Sequence, residues 1–333
     1  MNKLSIWKIL FLIFLIIGTI YILGNQKPYI TNSGKIFGTF YNITYSSDID
    51  LSKEIKSTLM QVDNSLSPFN KKSIITAINN NSDTLPDEKF KHVFALAQEI
   101  SRKTDGAFDI TVAPLVNAWG FGFKKGIAPD SAAIDSLRQF VGYNTIAIVD
   151  GKVIKQHPQT MLDCSAIAKG YGCDAVAAML DAQGVKNYMV EIGGEVVTKG
   201  KNSKGGAWTI GISKPTDNKT TNNNELHEII AISDKSMATS GNYRNFREEN
   251  GRKIAHTIDP RTGYPVQHSL LSATVIADDC ATADAYATAF MVMGVEKAME
   301  ICNNVESIEA YFIYSDGDGM LKTTMTEGFK KNI

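Results

Sequence analysis

From Gly34 to Tyr45 apolar and polar side chains alternate, the two-residue period of a strand with one buried face, and Gly38 inside it allows close backbone approach. The period then lengthens. Asp50 to Val62 places apolar residues at helical spacing behind an aspartate cap, and Asp87 to Arg102 predicts a second amphipathic helix. The first breaks at Ser67-Pro68. Asp130 to Phe140 predicts a third helix, leading into short strands around Thr145 to Val149 and Val153 to Lys155. Helical Ala175 to Leu180 precedes two strands, within Tyr188 to Lys199, that meet at Gly193-Gly194. Trp208 to Ile212 and Glu228 to Ser233 continue the sheet, and the polar run Thr216 to Glu225 between them reads as a solvated loop.

The sharpest change of period lies in Ser272 to Phe290, SATVIADDCATADAYATAF. Ala273 to Ile276 branch and alternate like a strand; from Ala281 small residues predict a helix. A helix near Val295 to Cys302 and a last strand, Ala310 to Tyr314, follow. Strands outnumber crossover helices late in the chain, which makes the fold class α+β with a largely antiparallel sheet. No shift in composition marks a boundary after Asn32, so residues 32–333 form the working domain.

The amino terminus departs from this pattern. Ile9 to Leu23 is uncharged and rich in Ile, Leu and Phe. Counted from Leu4, with Lys8 snorkelling, it reaches the roughly 20 residues that a membrane-spanning helix needs. Ile22-Leu23-Gly24 makes a poor cleavage site, which favours an uncleaved anchor over about 4–24. No cysteine follows the run, so lipid attachment there is excluded. Lysines on the short leading side place that end in the cytoplasm and the globular part outside.

Composition narrows the classes. The 333 residues are 44% hydrophobic, enough for a large core, and the net charge of −1 with no basic stripe argues against nucleic acid as a partner. Cys164, Cys173, Cys280 and Cys302 have no C-x-x-C spacing, and suggest neither a zinc knuckle nor a disulfide framework.

Four groups of residues are able to carry chemistry. Asp284 and Thr288, four apart, share a helix face, and their oxygens suit half of a hard-cation site; a solvated Asp and a Thr bonded back to its own helix fit the same residues. Asp163 precedes a predicted helix start, where it satisfies free amides, while Gly170 and Gly172 keep the backbone bare for a ligand and Lys169 meets an anionic group. In Asp105 to Gly122 the aromatics Phe108, Trp119 and Phe121 read as core, whereas Asp109 amid apolar neighbours needs a donor or a ligand hydroxyl. His256 precedes a stiff Asp259-Pro260-Arg261 turn, and a histidine there serves as a general base or as a hydrogen-bonding strut.

In chain order these motifs are Gly38-Thr39, Asp105 to Asp109, Trp119 to Gly122, Asp163 through Lys169-Gly170, Ile192-Gly193-Gly194, Thr239-Ser240-Gly241, His256 to Gly263 and Asp284 to Thr288. From Phe37 to about Phe329 the chain resembles the ApbE-like FAD:protein FMN transferases. That resemblance implies a T-fold-like α+β architecture and a magnesium-dependent enzyme. It would split FAD, transfer the FMN half to a Thr or Ser hydroxyl of a target flavoprotein and release AMP. By the same motifs Asp284, Thr288 and the carbonyl of Ala166 would bind Mg²⁺, an all-oxygen set. Phe37, Phe69, Ala107, Phe108, Asp109, Asp163, Lys169 and Ile258 would line the FAD site, with His256 as the base. Phe69 stands where relatives often carry Tyr, and Lys169 where some carry Glu. The implied acceptors are subunits of membrane redox pumps, and the implied location is the periplasmic side of a bacterial inner membrane. Two other outcomes share these residues: an FAD pyrophosphatase, with water replacing the acceptor, and a membrane-tethered flavin-binding protein without turnover.

Overall fold

The computed structural model describes residues 3–24, 27–123, 129–215, 226–242, 246–249 and 252–333. Ten α-helices are described: α1 (Lys3–Gly24), α2 (Ser52–Leu66), α3 (Ile74–Asn79), α4 (Glu88–Lys103), α5 (Ala113–Ala118), α6 (Ser131–Arg138), α7 (Ala168–Ala182), α8 (Cys280–Met293), α9 (Val295–Asn304) and α10 (Glu327–Lys330). The described strands are β1 (Tyr29–Ile36), β2 (Thr39–Ser46), β3 (Ile146–Val149), β4 (Lys152–Lys155), β5 (Tyr188–Ile192), β6 (Glu195–Lys199), β7 (Trp208–Ser213), β8 (Leu226–Ile232), β9 (Ser236–Gly241), β10 (Phe246–Glu249), β11 (Arg252–Ala255), β12 (Leu270–Ala277), β13 (Glu309–Ser315) and β14 (Leu321–Met325).

Eight strands form one sheet in the order β1-β2-β5-β6-β9-β12-β13-β14, every neighbouring pair antiparallel. The α+β class therefore holds. Helix α8 packs on the sheet with residues buried all round, as its near-continuous apolar sequence requires. Phe290 meets Phe312 of β13 edge to face, and burial of such a ring contributes about 2–3 kcal/mol. Asp87 and Asp130 cap α4 and α6 by accepting from the amides of Phe90 and Ala133, whereas α2, expected behind an Asp50 cap, has Leu51 at that position with no side-chain bond, and Asp50 accepts from the Ser52 amide instead.

Four expectations change. The stretch read as one strand is a hairpin, because Phe37 (φ 50°) and Gly38 (φ 73°) turn the chain between β1 and β2. Strands β7 and β8 pair with each other in a separate two-stranded sheet instead of extending the main one; the loop expected between them lies outside the described residues. Strand β14 follows β13, so the strand at Ala310 to Tyr314 is not the last. Helix α7 starts at Ala168, well before Ala175, which puts Lys169, Gly170 and Gly172 on a helix.

Among the described residues no helix is long and apolar enough to cross a membrane, so the span expected over 4–24 is not found there. The part of α1 whose side chains are described, residues 6–18, is shorter than the roughly 20 residues a span needs. Its apolar side chains from Ile6 to Ile17 are exposed.

Candidate active site

Two helix starts face each other. The first amides of any helix lack intrahelical acceptors, and a buried carboxylate needs donors, so each need answers the other. Asp174 of α7 accepts from the amides of Cys280 and Ala281 at the start of α8, both at 2.8 Å. Asp284 of α8, only 2% exposed, accepts at Oδ2 from the amide of Gly170 in the first turn of α7 at 3.0 Å. Glycine is required there: a Cβ on Gly170 would lie 2.3 Å from the carbonyl oxygen of Cys280. Gly172 likewise leaves room for the ring of Phe37, 2.7 Å from where its Cβ would be. These glycines, expected to bare the backbone for a ligand, instead admit a neighbouring helix and an aromatic ring.

Ala166 lies in the turn before α7, and Gly170 is among the first amides of that helix, which have no intrahelical acceptor, so its N–H is available to Asp284; among the described residues no backbone amide donates to Ala166. One turn beyond Asp284, Thr288 Oγ1 lies 3.1 Å from Ser240 Oγ, near the end of β9. The tertiary fold thus brings Asp284 onto the start of α7, just after the Ala166 turn, while Thr288 meets β9.

Lys169 enters the same region. Its ammonium pairs with Glu195 Oε1 and sits 3.8 Å from Asp284 Oδ1. Burial alone would lower the Lys169 pKa, but the two carboxylates outweigh it and hold it above the ordinary lysine value. The anionic groups that Lys169 meets are carboxylates of the protein itself. Glu195, 3% exposed, was not among the expected residues. Burial pushes its carboxyl up, and Oε2 is buried with no hydrogen-bond partner. Its sequence signal is weak: a lone acid directly after Gly193-Gly194, heading the otherwise apolar start of β6.

A second wall forms where the Asp105 to Thr111 segment runs beside residues 161–165. Val112 and Met161 make a parallel bridge, and the Asp163 amide donates to Ile110 O at 2.7 Å. Asp109 Oδ1 accepts from the Thr111 amide and hydroxyl, and Oδ2 from the Tyr143 amide at 2.7 Å, while burial raises its pKa. Asp163 accepts from the Ser165 amide, and burial raises its pKa too. Ala107 and Phe108 are buried beneath this wall. A cavity of about 230 Å³ opens beside it, lined by Asp105, Gly106, Asp109, Tyr143, Pro260 and Arg261. A larger one, about 750 Å³, has Asp174, Asp181, Lys199 and Asp278 on its wall and none of the expected flavin-site residues.

His256 belongs to a loop pinned from three sides. Trp119 Nε1 donates to Gly263 O at 2.9 Å, Ile258 is buried with Leu115, Trp119 and Ile134, and Thr257 Oγ1 donates to Asn242 Oδ1 at 2.6 Å. Asn242 follows β9 directly, so the His256 loop is anchored two residues from Ser240. The His256 ring stands edge-on to Phe121, with centroids 6.4 Å apart. Phe69 is 65% exposed and meets Phe123 edge to face.

Among the described residues no cluster of three or more His, Cys, Asp or Glu forms a metal site. The expected set contains one carboxylate only, with a hydroxyl and a carbonyl, and that donor chemistry fits a hard cation with water completing its shell. Fold and site together define an α+β protein in which two helix starts enclose a buried carboxylate beside a lysine–glutamate pair, flanked by an aromatic loop.

The comparisons specify it. The model for the ApbE family matches residues 37–312. The FAD:protein FMN transferase of Haemophilus influenzae is 38% identical over 92% of each chain. The solved flavin transferase ApbE of Vibrio cholerae superposes with a TM-score of 0.82 at 35% identity, over 92% of this chain and 99% of that one. The Pseudomonas stutzeri flavinyl transferase ApbE gives 0.82 at 31% identity, over 92% and 97%. The chain belongs to the ApbE family, as its motifs predict.

Proposed function

We propose that this chain is an FAD:protein FMN transferase that moves the FMN half of FAD onto a Thr or Ser hydroxyl of an acceptor flavoprotein and releases AMP, with Mg²⁺ held by Asp284, Thr288 and the Ala166 carbonyl. The bond from the Gly170 amide to Asp284 carries the metal assignment, because it sets the one carboxylate of the set against the helix start that Ala166 precedes by two residues. When bound, the cation supplies neutralising charge for a pyrophosphate.

The remaining work falls to the chain's own groups. His256 accepts the proton of the acceptor hydroxyl as its oxygen bonds to the FMN phosphorus, and the bond from that phosphorus to the AMP oxygen breaks. Phe37 and Phe69 offer flat apolar surface for the rings of the dinucleotide. Asp109, tied to the amides of Thr111 and Tyr143, and Asp163, tied to that of Ser165, hold the wall in shape.

The exposed apolar side chains from Ile6 to Ile17 support an uncleaved anchor in a bacterial inner membrane, with the catalytic domain on the periplasmic side near subunits of membrane redox pumps. The test is incubation of the full chain in detergent with FAD, Mg²⁺ and an acceptor, followed by mass spectrometry of the acceptor. A covalent FMN adduct on Thr or Ser is expected. Free FMN and AMP alone would mean hydrolysis, and intact FAD would mean binding without turnover. Protease accessibility in spheroplasts checks the location, where protection of the domain speaks against the periplasmic side.

A further inference from the structure

Three ionisable groups meet, two buried carboxylates and a lysine whose side chain is 30% exposed. Lys169 hydrogen-bonds Glu195 Oε1 and stands at the outer edge of ion-pair range, 3.8 Å, from Asp284 Oδ1. Asp284 Oδ2 is taken by Gly170; among the described residues no N–H or O–H donates to Oδ1. Hydrogen bonding needs close approach, so the position of the ammonium decides which carboxylate it saturates. A lysine side chain is long and flexible enough to serve either. Glu195 is fixed by comparison: it begins β6, its carbonyl accepts from the Cys173 thiol of α7 at 3.3 Å, and its Oε2 has no other partner.

We propose that Glu195 is a positioning residue that holds Lys169 off Asp284 and so keeps Asp284 Oδ1 open for a divalent cation. The inference rests on the metal assignment above. Without Glu195 the ammonium keeps one carboxylate neighbour, already at 3.8 Å, and attraction to it draws the ammonium onto Oδ1, where it competes with the cation.

Mn²⁺ is the probe, titrated into the full chain in detergent without FAD and followed by the electron paramagnetic resonance of the free ion. The wild type binds, and Asp284→Ala does not. Glu195→Ala weakens binding about tenfold or more, and the isosteric Glu195→Gln weakens it in the same direction and serves if the alanine variant does not fold. Lys169→Met combined with Glu195→Ala restores binding to near the wild-type level, because no ammonium remains to compete. Wild-type affinity in both Glu195 variants overturns the inference and leaves the metal assignment standing. A double variant as weak as Glu195→Ala also overturns it, since the effect is then structural. A wild type that binds no Mn²⁺ yet transfers flavin overturns the metal assignment and the inference with it.

Discussion

The two sides of the candidate active site are built differently. On the helix side, α7 and α8 exchange carboxylate-to-amide bonds between residues more than a hundred positions apart, and the Asp284 carboxylate is almost fully buried. On the loop side, the His256 segment is held by a small apolar cluster and single hydrogen bonds such as Trp119 to Gly263, and Phe69 is exposed. Buried charge is costly to rearrange, so a cation site must be fixed before anything binds. A face that receives a flavin and then a segment of another protein has to stay open, and exposed aromatics on loops meet that need. Rigidity sits where charge is handled, and access where partners arrive.

Substitutions test that division. Asp284→Ala should have the largest effect, lowering flavin transfer about 1,000-fold or more as scored by covalent FMN on the acceptor. Near-normal transfer would remove Asp284 from the chemistry. Gly170→Ala comes next. In an ordinary helix this change stabilises by about 1 kcal/mol, but here the new Cβ meets the Cys280 backbone, so the sign should reverse to a loss of about 3 kcal/mol in denaturant unfolding. A gain in stability would show that the two helices do not touch there.

On the loop side, His256→Ala should reduce transfer about 100-fold while FAD binding, followed by flavin fluorescence, stays within about threefold of wild type. Equal loss of binding and transfer would make His256 a strut. Trp119→Phe should cost about 1 kcal/mol, the value of the lost Nε1–H bond to Gly263, as read from the shift in denaturation midpoint.

The smallest effect concerns pH. His268 Nε2 donates to Met291 O at 2.9 Å and Nδ1 accepts from the Leu270 amide, an arrangement open only to the neutral ring. Burial lowers its pKa below the free value. The unfolded chain therefore takes up the proton first, so the contribution of His268 is complete above the free-histidine pKa and is lost as pH falls through the lower folded one. His268→Gln should narrow the difference in melting temperature between about pH 7.5 and about pH 5.5. An unchanged difference would mean that His268 does not set the acid limb.

Much of the fold was legible because its signals are local. The amphipathic period of α4, the Gly193-Gly194 turn, and the passage from strand to helix before Cys280 all act within a few residues. The errors came where long-range packing overrides local pattern. The hairpin turn at Phe37-Gly38 interrupts a run that alternates like one strand, and the pairing of β7 with β8 turns on which edge those strands meet. The candidate site divided in the same way. Asp284, Thr288 and the Ala166 turn were marked by residue type and motif order, but Glu195 was not, because one acid at a strand start looks solvated until the fold buries it against Lys169.

Neighbouring residues carry the class of fold, the family and the chemical types available, since period and ordered motifs are local. Which carboxylate faces which amide, why Gly170 must lack a side chain, and which groups the charge of Lys169 meets follow from how the helices and strands dock. Those outcomes depend on distances between segments far apart along the chain, and such distances exist only once the helices have docked.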